Sequence, residues 1–90
     1  MSAVRRRVVV RGRVQGVFFR DTLRRAARSR GVAGWALNRG DGAVEAVFEG
    51  AADAVDSMLE IARQGPRGAE VSDVEVSEEE PEGLEDFEIR

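Results

Sequence analysis

The chain has 90 residues, 42% hydrophobic and 34% charged, which allows one small globular domain and excludes a disordered polypeptide. It contains no cysteine, no histidine, no tyrosine and no lysine. Disulfides, thiolate or imidazole chemistry and Schiff-base lysines are therefore all excluded.

All 14 basic residues are arginine, and charge is split along the chain. Residues 1–45 carry 11 Arg and 3 acids (net +8), while residues 46–90 carry 3 Arg and 14 acids (net −11). The overall −3 speaks against a nucleic-acid partner, but the basic half leaves an anionic ligand open. The Arg5–Arg7 cluster is followed by no long apolar run. The expectation is a cytoplasmic protein with neither signal peptide nor membrane span.

In chain order, Val4–Arg11 reads as a strand, with Val8 and Val10 on one face and Val9 on the other. Gly12–Phe19 breaks this pattern with two glycines. Arg20–Arg30 places Leu23, Ala26 and Ala27 on one side at helical spacing, and Gly31 then Val32 supply a helix stop. Gly34–Glu49 reads as a hairpin around the Asp41-Gly42 turn, with Val44 and Phe48 on one face and Glu45 and Glu49 on the other. Ala51–Gln64 is the clearest amphipathic helix, through Ala51, Ala54, Val55, Met58, Leu59 and Ala62. Ala69–Ser77 reads as a strand, with Val74 and Val76 sharing a face. Glu78–Glu82 reads as a solvated loop, and Leu84–Arg90 as a last short strand with Phe87 and Ile89 inward.

The order β-α-β-β-α-β, plus a possible fifth strand, predicts an α+β, ferredoxin-like sandwich. Its four- to five-stranded, largely antiparallel sheet carries two helices on one face. Residues 1–90 are expected to form a single domain. Because this fold hosts many functions, the activity must be read from a site.

The informative segment is Val10-Arg11-Gly12-Arg13-Val14-Gln15-Gly16-Val17-Phe18-Phe19-Arg20, which runs from strand through glycine loop into helix. It has neither the Gly-Lys-Ser/Thr end of a Walker A loop nor a dinucleotide fingerprint. Glycines let successive backbone N–H groups converge into a nest. Phe18 and Phe19 cannot cap a helix starting at Arg20, and an arginine is misplaced at the positive end of a helix dipole. An anion held by the loop amides and Arg20 removes both oddities. The competing reading makes Asp21 the cap and Arg20 a solvated charge. Gln15 either orients the loop through its amide or is simply exposed. Arg11 and Arg13 read as solvated charges.

The run Val10–Arg20 resembles the acylphosphatase signature, Gly-x-Val-Gln-Gly-Val-x-Phe-Arg after an aliphatic residue and one variable position. Gly34-Trp35-Ala36-Leu37-Asn38, then Gly42, Val44 and Gly50, resembles the second signature of that family. Gly65-Pro66, Ala69, Val71, Phe87 and Ile89 also fit. Leu37 departs from a position that is more often long and polar in the family.

The resemblance implies hydrolysis of acyl phosphates to carboxylate and inorganic phosphate, with no metal and no cofactor. It implies that the loop amides of Gln15, Gly16, Val17, Phe18 and Phe19, with the Arg20 side chain, bind the phosphate. Asn38 then positions the attacking water, so Arg20 and Asn38 are the catalytic pair. Phosphoryl transfer through a loose transition state needs positioning and charge stabilisation more than acid–base strength, which suits a chain without histidine or cysteine.

The remaining candidates have structural explanations. Asp21 suits a helix first turn and Asp41 a tight turn. Trp35, Phe18, Phe19, Phe48, Met58 and Phe87 are expected in the core. Most arginines other than Arg20 are expected to face solvent. Two other function classes fit the same element order: an RNA-binding module, and a silent domain that binds phosphate or carbamoyl groups. Aromatics are only 6%, and the central strands Arg6–Val10 and Val44–Phe48 lack an RNA-stacking pattern. Nothing in the sequence demands more than a monomer.

Overall fold

A computed structural model describes residues 3–90. The elements are β1 (Val4–Arg13), α1 (Phe19–Arg30), β2 (Ala33–Asn38), β3 (Val44–Gly50), α2 (Ala52–Gln64), β4 (Glu70–Glu79) and β5 (Phe87–Ile89). They reproduce the expected order, fifth strand included. The sheet order is β4-β1-β3-β2-β5. β1 pairs antiparallel with β3 and β4, β2 pairs antiparallel with β3, and β5 adds parallel to β2.

Period-two alternation sends Val8, Val10, Ala36, Val44, Ala46 and Phe48 to one face. There they meet Phe19, Leu23 and Ala27 of α1 and Val55, Met58, Leu59 and Ala62 of α2. Phe87 closes this core by stacking on Phe48, with ring centroids 6.1 Å apart. α1 ends as its sequence predicts. Gly31 adopts the left-handed conformation, and the N–H of Val32 returns to Ala27 O at 2.9 Å.

The other face is polar, and several expectations need correction there. Arg5 and Glu49 are buried, at 3% and 4% exposure. Arg5 contacts Glu49 and Glu79 at 3.3 and 2.9 Å, and Arg7 pairs with Glu79 and Glu45. Arg5 does not face solvent and Arg7 does so only in part, and Glu78 and Glu79 belong to β4 rather than to a loop. The register explains both facts, because β1 and β4 set Arg5 against Glu79 and Arg6 against Glu78. The opposite charges of the two chain halves thus meet across one strand pair. Trp35 is buried as expected but outside the helix-side core. It lies beneath the guanidinium groups of Arg7 and Arg90, at 5.2 and 4.8 Å.

β1 extends beyond Arg11 through a bulge at Arg11/Gly12. Gly12 has φ 128°, and a Cβ there would lie 2.1 Å from Glu70 O. A side chain cannot be accommodated, so glycine permits the bend that delivers the chain to the next loop. No helix among the described residues is long and apolar enough to cross a membrane.

Candidate active site

Three chain segments converge at one end of the sandwich. The first is the loop between β1 and α1, the second is the end of β2, and the third is β5. Between them lies a cavity of about 240 Å³ lined by Val14, Gly16, Phe18, Phe19, Arg20, Asp21, Asn38 and Ile89.

The loop turns at Gly16, with φ 77°, and again at Phe18, the only non-glycine residue among those described with positive φ (60°). Phe18 is the N-cap of α1 and offers no side-chain cap hydrogen bond. The competing cap at Asp21 is thereby set aside. Its carboxylate instead holds Arg24 and Arg25, at 2.8 and 3.0 Å, inside the first turns. Among the described residues, the N–H groups of Gly16, Val17, Phe18 and Phe19 donate to no protein acceptor. They stand beside a helix N-terminus, where the backbone dipoles add positive potential.

Arg20 is half-buried in the second position of α1. Its Nη1 donates to Arg90 O at 3.2 Å, which ties the side chain to the end of β5. Most arginines are paired with carboxylates. Among the described residues, Arg20, Arg30 and Arg67 have no Asp or Glu carboxylate within 4.0 Å. Arg20 is the one of these three that lines the cavity.

Asn38 is exposed at the end of β2 and lines the opposite wall. The turn after it is self-contained. Asp41 Oδ1 accepts the Ala43 N–H at 3.1 Å and Oδ2 accepts from Arg39 at 2.8 Å, as expected of a turn residue. The amide hydrogen bond from Ala43 holds the Asp41 carboxyl below its ordinary range, assisted by Arg39. Gln15 is not merely exposed: its Nε2 donates to Arg39 O at 2.8 Å and Ala43 O at 3.0 Å. The sequence leaves this role open, and no local signal can settle it, because the partners lie 24 and 28 residues away.

One further placement differs from expectation, and the position of Leu37 is fixed. Phe18 is 81% exposed rather than in the core, because its left-handed cap conformation turns the ring outward. Leu37 does not line the cavity, since strand alternation places Ala36 and Asn38 on the cavity side and Leu37 on the other.

The outer sheet face is filled by ion pairs and a capped Trp35, leaving no row of exposed aromatics for stacking bases. Fold and cavity together define a small ferredoxin-like α/β sandwich with a cavity at the start of its first helix. The acylphosphatase family model matches residues 6–89. An acylphosphatase from Haloquadratum walsbyi is 56% identical, covering 100% of this chain and 99% of the relative. One from Gloeobacter violaceus is 52% identical over 98% and 95%. The crystal structure of acylphosphatase from Bacillus subtilis superposes with a TM-score of 0.93, at 40% identity, covering 97% of this chain and 98% of that one. The chain belongs to the acylphosphatase family, and its reaction is the hydrolysis of acyl phosphates.

Proposed function

We propose that the phosphoryl group of the acyl phosphate occupies the cavity between the β1–α1 loop and Asn38. The backbone N–H groups of Gln15, Gly16, Val17, Phe18 and Phe19 donate to its oxygens, and the Arg20 guanidinium adds charge and a planar fork. The observation that carries this reading is Arg20 itself. It is an arginine with no Asp or Glu partner, held only by Arg90 O, beside unpaired amides, in a chain whose other cavity charge (Asp21) is already neutralised.

Asn38 holds the attacking water by accepting its hydrogen through the amide oxygen, without acting as a base. The water oxygen bonds to phosphorus as the bond from phosphorus to the acyl oxygen breaks, and the carboxylate leaves with that electron pair. One water proton stays on the new P–OH group and the other passes to a phosphate oxygen. The products are carboxylate and dihydrogen phosphate. Charge spread over the equatorial oxygens falls on Arg20 and the amides, so the proposal requires neither a metal nor a cofactor. Among the described residues no three carboxylates converge to hold a metal ion.

Every group in the site comes from one chain, which makes a monomer sufficient. A cysteine-free sequence makes no demand on an oxidising compartment, which suits a cytoplasmic setting. The substrate is a small-molecule anion, not a nucleic acid or a membrane surface.

The deciding assay is hydrolysis of benzoyl phosphate in the presence of EDTA, by wild type and Arg20→Gln. Expected are EDTA-insensitive turnover in wild type and a loss of about 10²–10³ in the variant with its fold intact. Near-normal turnover by Arg20→Gln removes Arg20 from the mechanism, and loss on EDTA treatment removes the metal-free scheme.

A further inference from the structure

We propose that the exposed ring of Phe18 receives the acyl group of the substrate and sets the preference of the enzyme for apolar, above all aromatic, acyl chains. The inference rests on the anion-site reading given above. An acyl phosphate has two ends. Its phosphoryl end is matched by the loop amides and Arg20. The carbonyl at its acyl end is neutral, so the acyl group extends from that cavity past the residues at the rim.

Phe18 dominates that rim. It is 81% exposed, whereas Phe19, Phe48 and Phe87 are fully packed inside. The ring therefore contributes nothing to the hydrophobic core, although it is held in a left-handed conformation that phenylalanine seldom adopts. It borders both the anion cavity and a more open adjoining depression shared with Asp21, Thr22 and Arg25. The two spaces share Phe18 and Asp21 as lining residues. The charges of the depression are mutually satisfied, since Asp21 Oδ2 lies 3.0 Å from Arg25 Nε. An anionic acyl chain thus finds no free cation there, while an apolar one finds the face of an aromatic ring. Stacking of one ring on another is worth roughly 3- to 10-fold in affinity.

The test compares kcat/KM for benzoyl and acetyl phosphate in wild type, Phe18→Leu and Phe18→Asn. Asparagine is chosen because it tolerates the left-handed conformation, so the loop keeps its shape. Inhibition by inorganic phosphate reports on the anion site separately. The expected result is a benzoyl-to-acetyl ratio that falls about fivefold in Phe18→Asn and less in Phe18→Leu. The change should appear mainly in KM for benzoyl phosphate and exceed any change in inhibition by inorganic phosphate, because the backbone N–H that Phe18 offers the phosphate is present in both variants. An unchanged ratio in both variants overturns the proposal. So does an equal loss on both substrates with weakened phosphate inhibition, which would make Phe18 a loop-geometry residue and leave the anion site standing. Absence of wild-type turnover on either substrate overturns the acyl platform together with the anion-site reading.

Discussion

The side-chain amide of Gln15 donates to the carbonyl of Arg39 at 2.8 Å, bolting the β1–α1 loop to the turn that follows Asn38. A second bond to Ala43 O, at 3.0 Å, fixes the direction of the amide. The loop amides and Asn38 come from segments that are remote in sequence, and Gln15 is the side chain that holds them in register. Displacement of a reacting group by about 1 Å can cost up to about 10² in rate. Gln15→Met keeps the length of the side chain and removes its donor. Expected is a fall in kcat of about tenfold, with a smaller change in inhibition by inorganic phosphate, whose amide donors lie within the loop itself. Steady-state kinetics with phosphate as inhibitor checks this, and equal losses in both would place the Gln15 side chain, and not only its backbone N–H, in phosphate binding.

Much of this arrangement is legible in the sequence because it is local. The glycine loop, the uncapped start of α1 and the Asp41-Gly42 turn each follow from backbone needs of neighbouring residues. The amphipathic period of α2 likewise names its buried residues Val55, Met58, Leu59 and Ala62 from spacing, although the same template takes in Ala51, which is the exposed N-cap, and Ala54, which is half-buried. The features that escape such reading are long-range. The burial of Arg5 depends on the register that brings Glu79 opposite it and on the loop that brings Glu49 its other partners. Phe18 departs from expectation for a different reason: hydrophobicity alone sends a phenylalanine inward, and the cap geometry that turns it outward is a property of the folded loop.

Asn38 should separate catalysis from binding. It lines the same cavity as Arg20 but belongs to β2 rather than to the β1–α1 loop. Asn38→Ala is expected to lower kcat by about 10²-fold, the order seen when one positioned donor or acceptor is lost from an active site. The dissociation constant for inorganic phosphate should change by only a small factor. Titration with phosphate followed by calorimetry, beside kcat for benzoyl phosphate, tests the separation. A variant with weakened phosphate affinity and intact kcat would assign Asn38 to the ground state instead.

Arg20→Lys asks whether charge or shape matters. Lysine keeps the positive charge but is a point donor on a flexible stem, and it loses the fork that can contact phosphate while reaching Arg90 O. Activity should remain well below wild type, by about 10-fold or more, yet exceed that of Arg20→Gln. Equal activity of Arg20→Lys and wild type would reduce the contribution of Arg20 to its net charge.

Stability, by contrast, should hinge on the buried pair on the far side of the sheet. Burial pushes the Glu49 carboxyl up, but the N–H groups of Glu82 and Leu84, with Arg5 and the N–H of Gly83, outweigh it and hold the carboxyl below its ordinary range. All three of those amides donate at 2.8 Å. Glu79 is lowered too, by hydrogen bonds from Arg7 and then Arg5. A carboxyl whose folded pKa is depressed stabilises the fold above its unfolded value of about 4.3, and that contribution is lost as pH falls towards the folded value. The wild-type protein should therefore hold its stability from neutral pH to about 4.5 and lose it steeply below. Glu49→Gln leaves Arg5 buried with only Glu79 and the exposed Glu82 nearby. It should cost about 3 kcal/mol at pH 7 and lower the melting temperature by more than about 10 °C. The slope of stability against pH below about 4.3 should also become shallower, because one depressed carboxyl has been removed. Urea unfolding across this range measures both effects. A variant with wild-type stability at pH 7 and an unchanged acid slope would show that the Arg5–Glu49 pair contributes nothing net to the fold.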